Sequence, residues 1–369
     1  MITYQCSLCG KDLPASLEVF RCKCGGMMTL KEGITPFRQN QIQKQCWSLF
    51  RYVKMIPMIR NTWLQATMGE GMTPLIQPDS DNPALWAKMD YMMPTLSFKD
   101  RGAAVLLSYA KELGAKHIIQ DSSGNAGCSI AAYASRAGMT CDIYVPDSTS
   151  EPKIRQIRAY GAQVHLVPGT RENTARAALE AVEESGAFYA SHVYQPMFYQ
   201  GTKTYVLELY EQLGGKLPDT LVVPVGNGTL LLGVSAGLWD LKAGGVIESF
   251  PRLVMVQAQG CAPIHSAFSA GHAVPVAATN QGTIAEGIAI AEPKRGREII
   301  SILNRMKGEV VVVTDEEIVR ARQELAGKGI DVEPTGAVSY AAYRGAVFTG
   351  RAAEWGSVAV PFCGSGLKK

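Results

Sequence analysis

Residues 94–102, Pro-Thr-Leu-Ser-Phe-Lys-Asp-Arg-Gly, place Lys99 where a proline-led turn gives way to a long apolar helix. The helix dipole disfavours a cation in the first turn, which weighs slightly against an ordinary surface lysine. A lysine that forms an imine with an aldehyde must be held rigidly and be neutral for part of its cycle. Two interpretations of Lys99 are open: an imine-forming lysine, or a solvated lysine, which would be favoured if this motif stood alone.

A polar loop, Asp121-Ser-Ser-Gly-Asn-Ala-Gly127, lies between a short β-rich run and a helix of small residues. Small residues let several backbone N–H groups converge, and the dipole of the following helix adds partial positive charge. Two hydroxyls and one side-chain amide complete a site that suits a carboxylate. A plain tight turn would use the same residues, so this loop alone does not decide the function.

A glycine loop, Val225-Gly-Asn-Gly-Thr-Leu-Leu-Leu-Gly233, has the same order of strand, turn and helix. The leucine at position 231 departs from the dinucleotide fingerprint, and no lysine follows the glycines as in a Walker A loop. The loop therefore predicts a site for a single phosphate. An imine-forming lysine, a carboxylate site and a phosphate loop are together what pyridoxal phosphate and a small amino-acid substrate require.

The first thirty residues stand apart as a small cysteine-rich segment. Cys6 and Cys9 form a Cys-x-x-Cys pair, Cys22 and Cys24 form a Cys-x-Cys pair, and a glycine follows each pair. Four thiolates at this spacing predict a closed, structural zinc site of the zinc-ribbon kind, to which no catalysis is assigned. Four reduced thiols on a flexible tail are the alternative.

The rest of the chain alternates short β-rich runs with helical ones, after a linker at 31–35 and a predicted helix near Gln41–Lys54. The predicted strands are 85–89, 117–120, 141–145, 164–167, 221–225 and 253–257. The predicted helices are 100–113, 128–137, 152–160, 172–185, 202–213 and 230–241. This alternation, with glycine at the turns, predicts an α/β fold in which helices cover both faces of parallel sheets.

Composition and charge fit an ordinary globular protein. The 36 basic and 33 acidic residues leave a net charge of +3, which gives no electrostatic reason to expect nucleic acid or a membrane surface as a partner. No apolar run approaches a membrane span, and the N-terminus lacks the regions of a signal peptide. Nine cysteines, five of them isolated, argue against a disulfide framework. We therefore expect a cytoplasmic protein.

These motifs resemble those of the pyridoxal-phosphate (PLP) enzymes of the tryptophan-synthase-β fold, fold type II, and among them the threonine synthases and their relatives. The similar segments are GEGMTPL at 69–75, residues 94–102, SSGNAG at 122–127, VGNGTL at 225–230, EPTGA at 333–337 and FCGSGLK at 362–368. The cysteine segment also resembles a knuckle that precedes some threonine synthases.

The resemblance implies a division into domains. It implies two doubly wound α/β domains with parallel or mixed sheets, and we also expect a small zinc-ribbon-like knuckle at 1–30. The large PLP-binding domain would comprise 31–95 and 200–369, and the small domain, 96–199, would carry the polar loop. The resemblance to this family also implies a homodimer.

The resemblance implies a role for each matched residue. Lys99 forms the imine with the cofactor and moves the substrate's α- and β-protons. Asn125 hydrogen-bonds the cofactor's ring oxygen. Cys363 faces the pyridine nitrogen, where the family usually has serine or threonine; a buried structural cysteine is the alternative. The substrate carboxylate is held by Ser122, Ser123, Ala126 and Gly127, and the phosphate by Gly226, Asn227, Gly228, Thr229 and Leu230.

One position departs from the threonine synthase pattern. Where that pattern has an arginine that helps bind the substrate's phosphate, this chain has Phe198, counted back from Lys203. An aromatic ring cannot replace a bidentate guanidinium. Arg295, Arg297 or another basic residue would have to compensate.

The resemblance implies a PLP-dependent carbon–oxygen lyase, with O-phosphohomoserine to threonine as the first candidate reaction. The alternative enzyme is a serine/threonine dehydratase or a β-replacement synthase, towards which Phe198, Glu286-Gly-Ile288 and EPTGA lean. The rival from another class is a binding protein in which a zinc ribbon sits on an inactive enzyme body. Residues 1–30 contain only Lys11, Arg21 and Lys23 as basic residues, which disfavours a nucleic-acid partner.

Overall fold

The computed structural model describes residues 2–57, 60–79 and 81–368. The β-strands are β1 Thr3–Cys6, β2 Asp12–Pro14, β3 Met28–Leu30, β4 Leu75–Ile76, β5 Leu85–Lys88, β6 His117–Gln120, β7 Thr140–Pro146, β8 Gln163–Val167, β9 Phe188–Tyr189, β10 Thr220–Pro224, β11 Arg252–Ala258, β12 Glu309–Val313 and β13 Val358–Pro361. The α-helices are α1 Trp63–Ala66, α2 Lys99–Glu112, α3 Asn125–Arg136, α4 Glu151–Ala159, α5 Arg171–Ser185, α6 Pro196–Thr202, α7 Thr204–Gln212, α8 Thr229–Ala243, α9 Pro263–Ser269, α10 Gly296–Arg305, α11 Asp315–Gly327, α12 Pro334–Phe348 and α13 Ala352–Trp355. Within these ranges, no helix combines the length and the apolar character that crossing a lipid bilayer requires.

The first compact unit comprises Met1–Met72 and Met93–Thr204. It contains a small antiparallel sheet in the order β2-β1-β3 and a parallel sheet in the order β8-β7-β6-β9. Helix α2 packs against α3 and α6, and α3 and α5 pack against the parallel sheet. Alanine and glycine at many buried positions of α2 and α3 allow this close helix packing.

The second compact unit comprises Thr73–Met92 and Tyr205–Lys368. Its sheet has the order β12-β11-β10-β13-β5-β4 and is parallel except for β4. Strands β10 and β13 are buried at every position, as expected where helices cover both faces of a parallel sheet. The predicted α/β fold with parallel and mixed sheets is therefore confirmed. The division into a knuckle and two domains at 31–95 with 200–369 and at 96–199 stays a prediction.

Most predicted elements are confirmed to within three residues at each end, but the predicted helix near Gln41–Lys54 is wrong. That segment contains two 3-10 helices, Gln39–Gln41 and Leu49–Met55, separated by non-helical chain. The Ser48 hydroxyl accepts a hydrogen bond from the Phe50 N–H at 3.2 Å and so begins a separate turn. Helix α6 was absent from the prediction, although proline is favoured at its first position.

Candidate active site

Lys99 is the first residue of α2 and follows a tight turn. Leu96 adopts a left-handed conformation, with φ +61°, and reverses the chain ahead of the helix. The buried Asp100 carboxylate fixes the turn by accepting hydrogen bonds from Thr95 N at 2.7 Å and from Thr95 Oγ1 at 2.5 Å. The half-buried Lys99 places its Nζ 4.4 Å from the centre of the Phe98 ring. The amine is therefore carried on a rigid turn rather than on a mobile surface loop.

The Asp100 carboxylate also joins this turn to the polar loop at 121–127, called here the asparagine loop. Ser129 of α3 donates its hydroxyl to Asp100 Oδ1 at 2.5 Å, and α3 begins within the loop. The loop is compact, since a Cβ on Gly127 would lie 1.8 Å from the carbonyl oxygen of Ser122. Two motifs that the sequence singled out therefore lie together in the first unit.

His192 is a residue near Lys99 that sequence patterns did not reveal. Its Nδ1 lies 3.3 Å from Nε2 of Gln120, the buried last residue of β6. Burial, then the charges of Lys99 and Arg171, lower the pKa of His192 well below its usual value, so the imidazole is neutral at pH 7. The Gln120 Oε1 atom is buried and accepts no hydrogen bond from the described residues. An isolated histidine carries no spacing signal, so only the fold reveals this neighbour.

Phe198 lies in the core of the first unit. The side chain is fully buried, and its ring packs so closely on α2 that a Cβ on Gly102 would lie 2.3 Å from its Cε1. The ring also meets the His192 imidazole edge to face, with centroids 5.9 Å apart. Phe198 therefore supports the helix that begins at Lys99, and it offers no donor to a phosphate.

In the second unit, the glycine loop at 225–233 joins β10 to α8. Gly228, with φ +77°, makes the left-handed turn immediately before the helix. Gly226 approaches Ile288 so closely that a Cβ would lie 2.8 Å from the Ile288 Cα. The N–H groups of the first turn of α8 have no acceptor within that helix, and its dipole adds partial positive charge. This arrangement suits an anion such as a phosphate.

Two further motifs lie near the glycine loop within the second unit. Thr335 of EPTGA accepts a hydrogen bond from the Gly287 N–H at 3.2 Å. The Glu333 N–H donates to the Gly364 carbonyl at 3.0 Å, which joins EPTGA to the last motif. Cys363 is buried beside this link. Gly287, which also lies against Gly226, therefore connects the glycine loop to EPTGA, and EPTGA connects to the last motif.

The four cysteines of the N-terminal segment form one cluster. The Sγ atoms of Cys6, Cys9, Cys22 and Cys24 all lie within 4.8 Å of one another. The N–H groups of Leu8 and Cys9 donate to Cys6 Sγ at 3.4 and 3.5 Å. Burial alone would raise the pKa of the Cys6 thiol. The hydrogen bonds from these two N–H groups and those with the neighbouring Cys24 and Cys9 thiols outweigh burial and lower the pKa to about 6. Four sulfur donors at such distances are typical of a structural zinc site.

Comparison with known proteins decides the family. The family model described as pyridoxal-phosphate dependent enzyme matches residues 66–364. The chain belongs to this family. Threonine synthase from Methanocaldococcus jannaschii is 30% identical over 348 residues, which are 91% of this chain and 85% of that protein. Threonine synthase from Methanosarcina acetivorans is 30% identical over 354 residues, 93% of this chain and 86% of that protein.

Solved structures share the fold. Maize serine racemase has a TM-score of 0.71 and 24% identity, covering 84% of this chain and 93% of its own. The processed form of threonine deaminase isoform 2 from Solanum lycopersicum has a TM-score of 0.69 and 22% identity, covering 90% of this chain and 91% of its own. These likenesses confirm the type II fold, and the threonine synthase relatives confirm a threonine synthase-like, PLP-dependent lyase.

Proposed function

We propose that this threonine synthase-like enzyme eliminates the γ- or β-substituent of an amino acid, with O-phosphohomoserine to threonine as the first candidate reaction. The observation that carries the proposal is the rigid position of Lys99, where Asp100 ties the lysine turn to the asparagine loop. An amine held near a site for a carboxylate can bond to an aldehyde and transfer protons on a fixed substrate.

The donor groups of the chain fit PLP. The glycine loop offers backbone N–H groups for one phosphate, and neither Gly226 nor Gly228 has room for a Cβ. When bound, PLP supplies an aldehyde that condenses with amines and a ring that accepts electrons from the substrate's α-carbon. We assign the phosphate to Gly226, Asn227, Gly228, Thr229 and Leu230, and the ring oxygen to Asn125.

The remaining roles concern the substrate and the ring nitrogen. Lys99 Nζ would take up and return the substrate's α- and β-protons. The substrate's carboxylate would be held by the hydroxyls and N–H groups of Ser122, Ser123, Ala126 and Gly127. We assign the pyridine nitrogen to Cys363, whose thiol is a weak but neutral hydrogen-bond group. A neutral partner leaves that nitrogen unprotonated, which favours elimination.

A phosphate leaving group needs a cation, and three basic residues that could supply one, Arg295, Arg297 and Lys203, are engaged or exposed. The Arg295 Nη1 atom bonds both oxygens of Glu298, at 2.9 and 2.8 Å, and Arg297 is exposed. Lys203 is buried and donates to a backbone carbonyl at 2.7 Å. Together with Phe198, these contacts favour the second candidate, a serine/threonine dehydratase or a β-replacement synthase.

Product analysis separates the two candidates. The cofactor-loaded protein would be given O-phosphohomoserine, phosphoserine, serine and threonine in parallel. Phosphate release with formation of threonine supports the first candidate. Formation of ammonia and a 2-oxo acid from serine or threonine, without phosphate release, supports the dehydratase. A change in cofactor absorbance without phosphate, threonine, ammonia or a 2-oxo acid as a product supports a β-replacement enzyme. No product and no change in cofactor absorbance with any of the four amino acids would contradict the proposal.

We further propose that Cys6, Cys9, Cys22 and Cys24 hold a structural zinc ion and that the chain forms a homodimer. The mutual distances of the four thiols support the zinc site, while the dimer rests on the family resemblance. We also propose that the enzyme acts in the cytoplasm on small molecules, without nucleic acid or a membrane as a partner. Metal analysis, sedimentation and fractionation test these points.

A further inference from the structure

The N-terminal cysteine segment contacts the sheet of the first unit through Phe20. The Phe20 ring meets the rings of Tyr189 and Tyr194 edge to face, with centroids 5.0 and 5.8 Å apart. The Arg21 guanidinium lies 5.6 Å from the centre of the same ring. Edge-to-face geometry is the favoured arrangement of aromatic pairs, so Phe20 makes a specific contact here.

Tyr189 connects this aromatic contact to the asparagine loop. It is the last residue of β9, pairs with Ile119 of β6 and is buried. Its hydroxyl donates to Asp121 Oδ1 at 2.7 Å. Because Asp121 is the first residue after β6, this hydrogen bond fixes the point at which the loop leaves the sheet.

The Asp121 carboxylate depends on that hydrogen bond. Burial raises the pKa of Asp121, and the hydrogen bond from Tyr189 and the charge of Arg171 oppose the shift. Moving the Tyr189 ring would remove a hydrogen-bond donor from a half-buried carboxylate, which would then have to form a hydrogen bond elsewhere. The conformation of the loop is therefore sensitive to the position of Tyr189.

Phe20 is not needed to attach the cysteine segment to the protein. Tyr4 of β1 donates its hydroxyl to Tyr109 of α2 at 3.1 Å. Tyr4, Cys6 and Cys22 are also buried in the main core of the first unit. The Phe20 contact is thus a second, separate attachment, and it is the one directed at the asparagine loop.

We propose that Phe20 is a positioning residue: it braces Tyr189, which holds Asp121 and thereby the asparagine loop in the geometry that binds the substrate's carboxylate. The proposal rests on the proposed function of that loop. It gives the cysteine segment a part in substrate binding although no atom of the segment needs to touch the substrate.

Hydrogen exchange in the full-length, cofactor-loaded protein tests the mechanical link. Phe20→Ala should speed exchange across residues 121–127, and Tyr189→Phe, which keeps the ring and loses the hydroxyl, should do the same. Phe20→Tyr, which keeps the ring, should behave like the wild type. Phe348→Ala removes a phenyl ring that is 93% exposed and is the matched control, without effect on the loop.

Steady-state kinetics with the amino acid that the wild type accepts tests the catalytic consequence. Phe20→Ala should raise KM by at least about fivefold while kcat changes less than about twofold, because the loop binds the carboxylate and Lys99 is untouched. Wild-type exchange at 121–127 in Phe20→Ala would overturn the proposal, whatever the turnover, and so would wild-type exchange there in Tyr189→Phe. A wild type without turnover would contradict the proposed function instead and would leave the exchange test intact. If Phe20→Ala unfolds residues 2–30, seen as fast exchange there, Phe20→Leu, which keeps an apolar side chain and loses the ring, is measured in its place and the same outcomes apply.

Discussion

The phenyl ring of Phe198 fills the space beside the backbone of Gly102, so that a Cβ at position 102 would lie 2.3 Å from Phe198 Cε1. Both residues are buried in the first unit, and Gly102 lies on the helix turn that begins at Lys99. A buried ring and a glycine in close contact form a packing unit that leaves no room for a larger residue. Position 198, for which the resemblance to threonine synthases implies an arginine, therefore serves helix packing in this chain.

Gly102→Ala should destabilise the protein by about 1–3 kcal/mol through overpacking, in spite of the gain of up to about 1 kcal/mol in helix propensity. Denaturant unfolding measures the change. Gly345→Ala in α12 is the matched control, since nothing lies within 4 Å of its added Cβ, and it should be neutral or stabilising. Phe198→Leu in the Gly102→Ala background should restore part of the loss. Equal stability changes in the two alanine variants would refute the close contact.

His192 predicts a dependence of stability on pH. Burial, with the charges of Lys99 and Arg171, keeps the folded imidazole neutral, whereas the unfolded residue binds a proton below about its usual pKa of 6.5. The unfolded chain therefore binds more protons in acid, and this group lowers stability as pH falls below that value, by up to about 1.4 kcal/mol per pH unit.

His192→Asn should remove this component, because the amide can still accept a hydrogen bond from Gln120 but does not titrate. The measurement is the free energy of unfolding between about pH 7.5 and about pH 5.5. His272→Asn, at an exposed histidine, is the control and should keep the slope of the wild type. An unchanged slope in His192→Asn would show that His192 is free to take up a proton in the folded protein.

The glycine loop predicts a specific loss of cofactor affinity. Gly228 and Gly245 both have positive φ, +77° and +71°, so alanine strains the backbone at either position. Only at Gly228 does the added Cβ also meet a side chain, at 2.6 Å from Cδ1 of Ile299. Gly228→Ala should weaken PLP binding by at least about tenfold, or about 1.4 kcal/mol, and Gly245→Ala should not. Titration of the apoprotein with PLP, followed by absorbance, compares them; equal affinities would argue against a phosphate site in this loop.

Local sequence patterns predicted those features that depend on neighbouring residues. Helix α2 ends just before Gly114 and α3 just before Gly138, as the glycines indicated, and the cysteine pairs converge as their spacing indicated. Contacts between distant residues were beyond such patterns: His192 meets Gln120 across 72 positions, and Phe20 meets Tyr189 through the fold alone. The prediction of one helix at Gln41–Lys54 was wrong for another reason. The Ser48 side chain accepts a hydrogen bond from a nearby backbone N–H and so competes with a continuous helix.

The cysteine cluster predicts one zinc ion per chain. Cys9→Ser and Cys22→Ser each remove one of four mutually close thiols, and should abolish stoichiometric zinc, because the remaining three cannot close a tetrahedral site. Cys46→Ser is the control, since Cys46 lies outside the cluster. Metal analysis of the purified proteins gives the answer. Because a closed site takes no part in the chemistry, kcat of the two cluster variants should stay within about threefold of the wild type. Wild-type protein that contains no zinc would contradict the prediction and leave the four thiols as an unmetallated cluster.

Lys99→Ala should abolish turnover. The amine at the start of α2 is the proposed covalent partner of the cofactor and the proposed carrier of the substrate's protons, and removing both roles should lower kcat by at least about 10³-fold. Lys216→Ala, at an exposed lysine, is the control. PLP should still bind to Lys99→Ala without a covalent bond, since the glycine loop is unchanged. Borohydride reduction followed by peptide mass spectrometry should find the cofactor on residue 99 in the wild type and in Lys216→Ala only. If Lys99→Ala kept both the covalent label and its turnover, another lysine would have to carry the cofactor, and the rigid turn made by Asp100 and Thr95 would have a purely structural purpose.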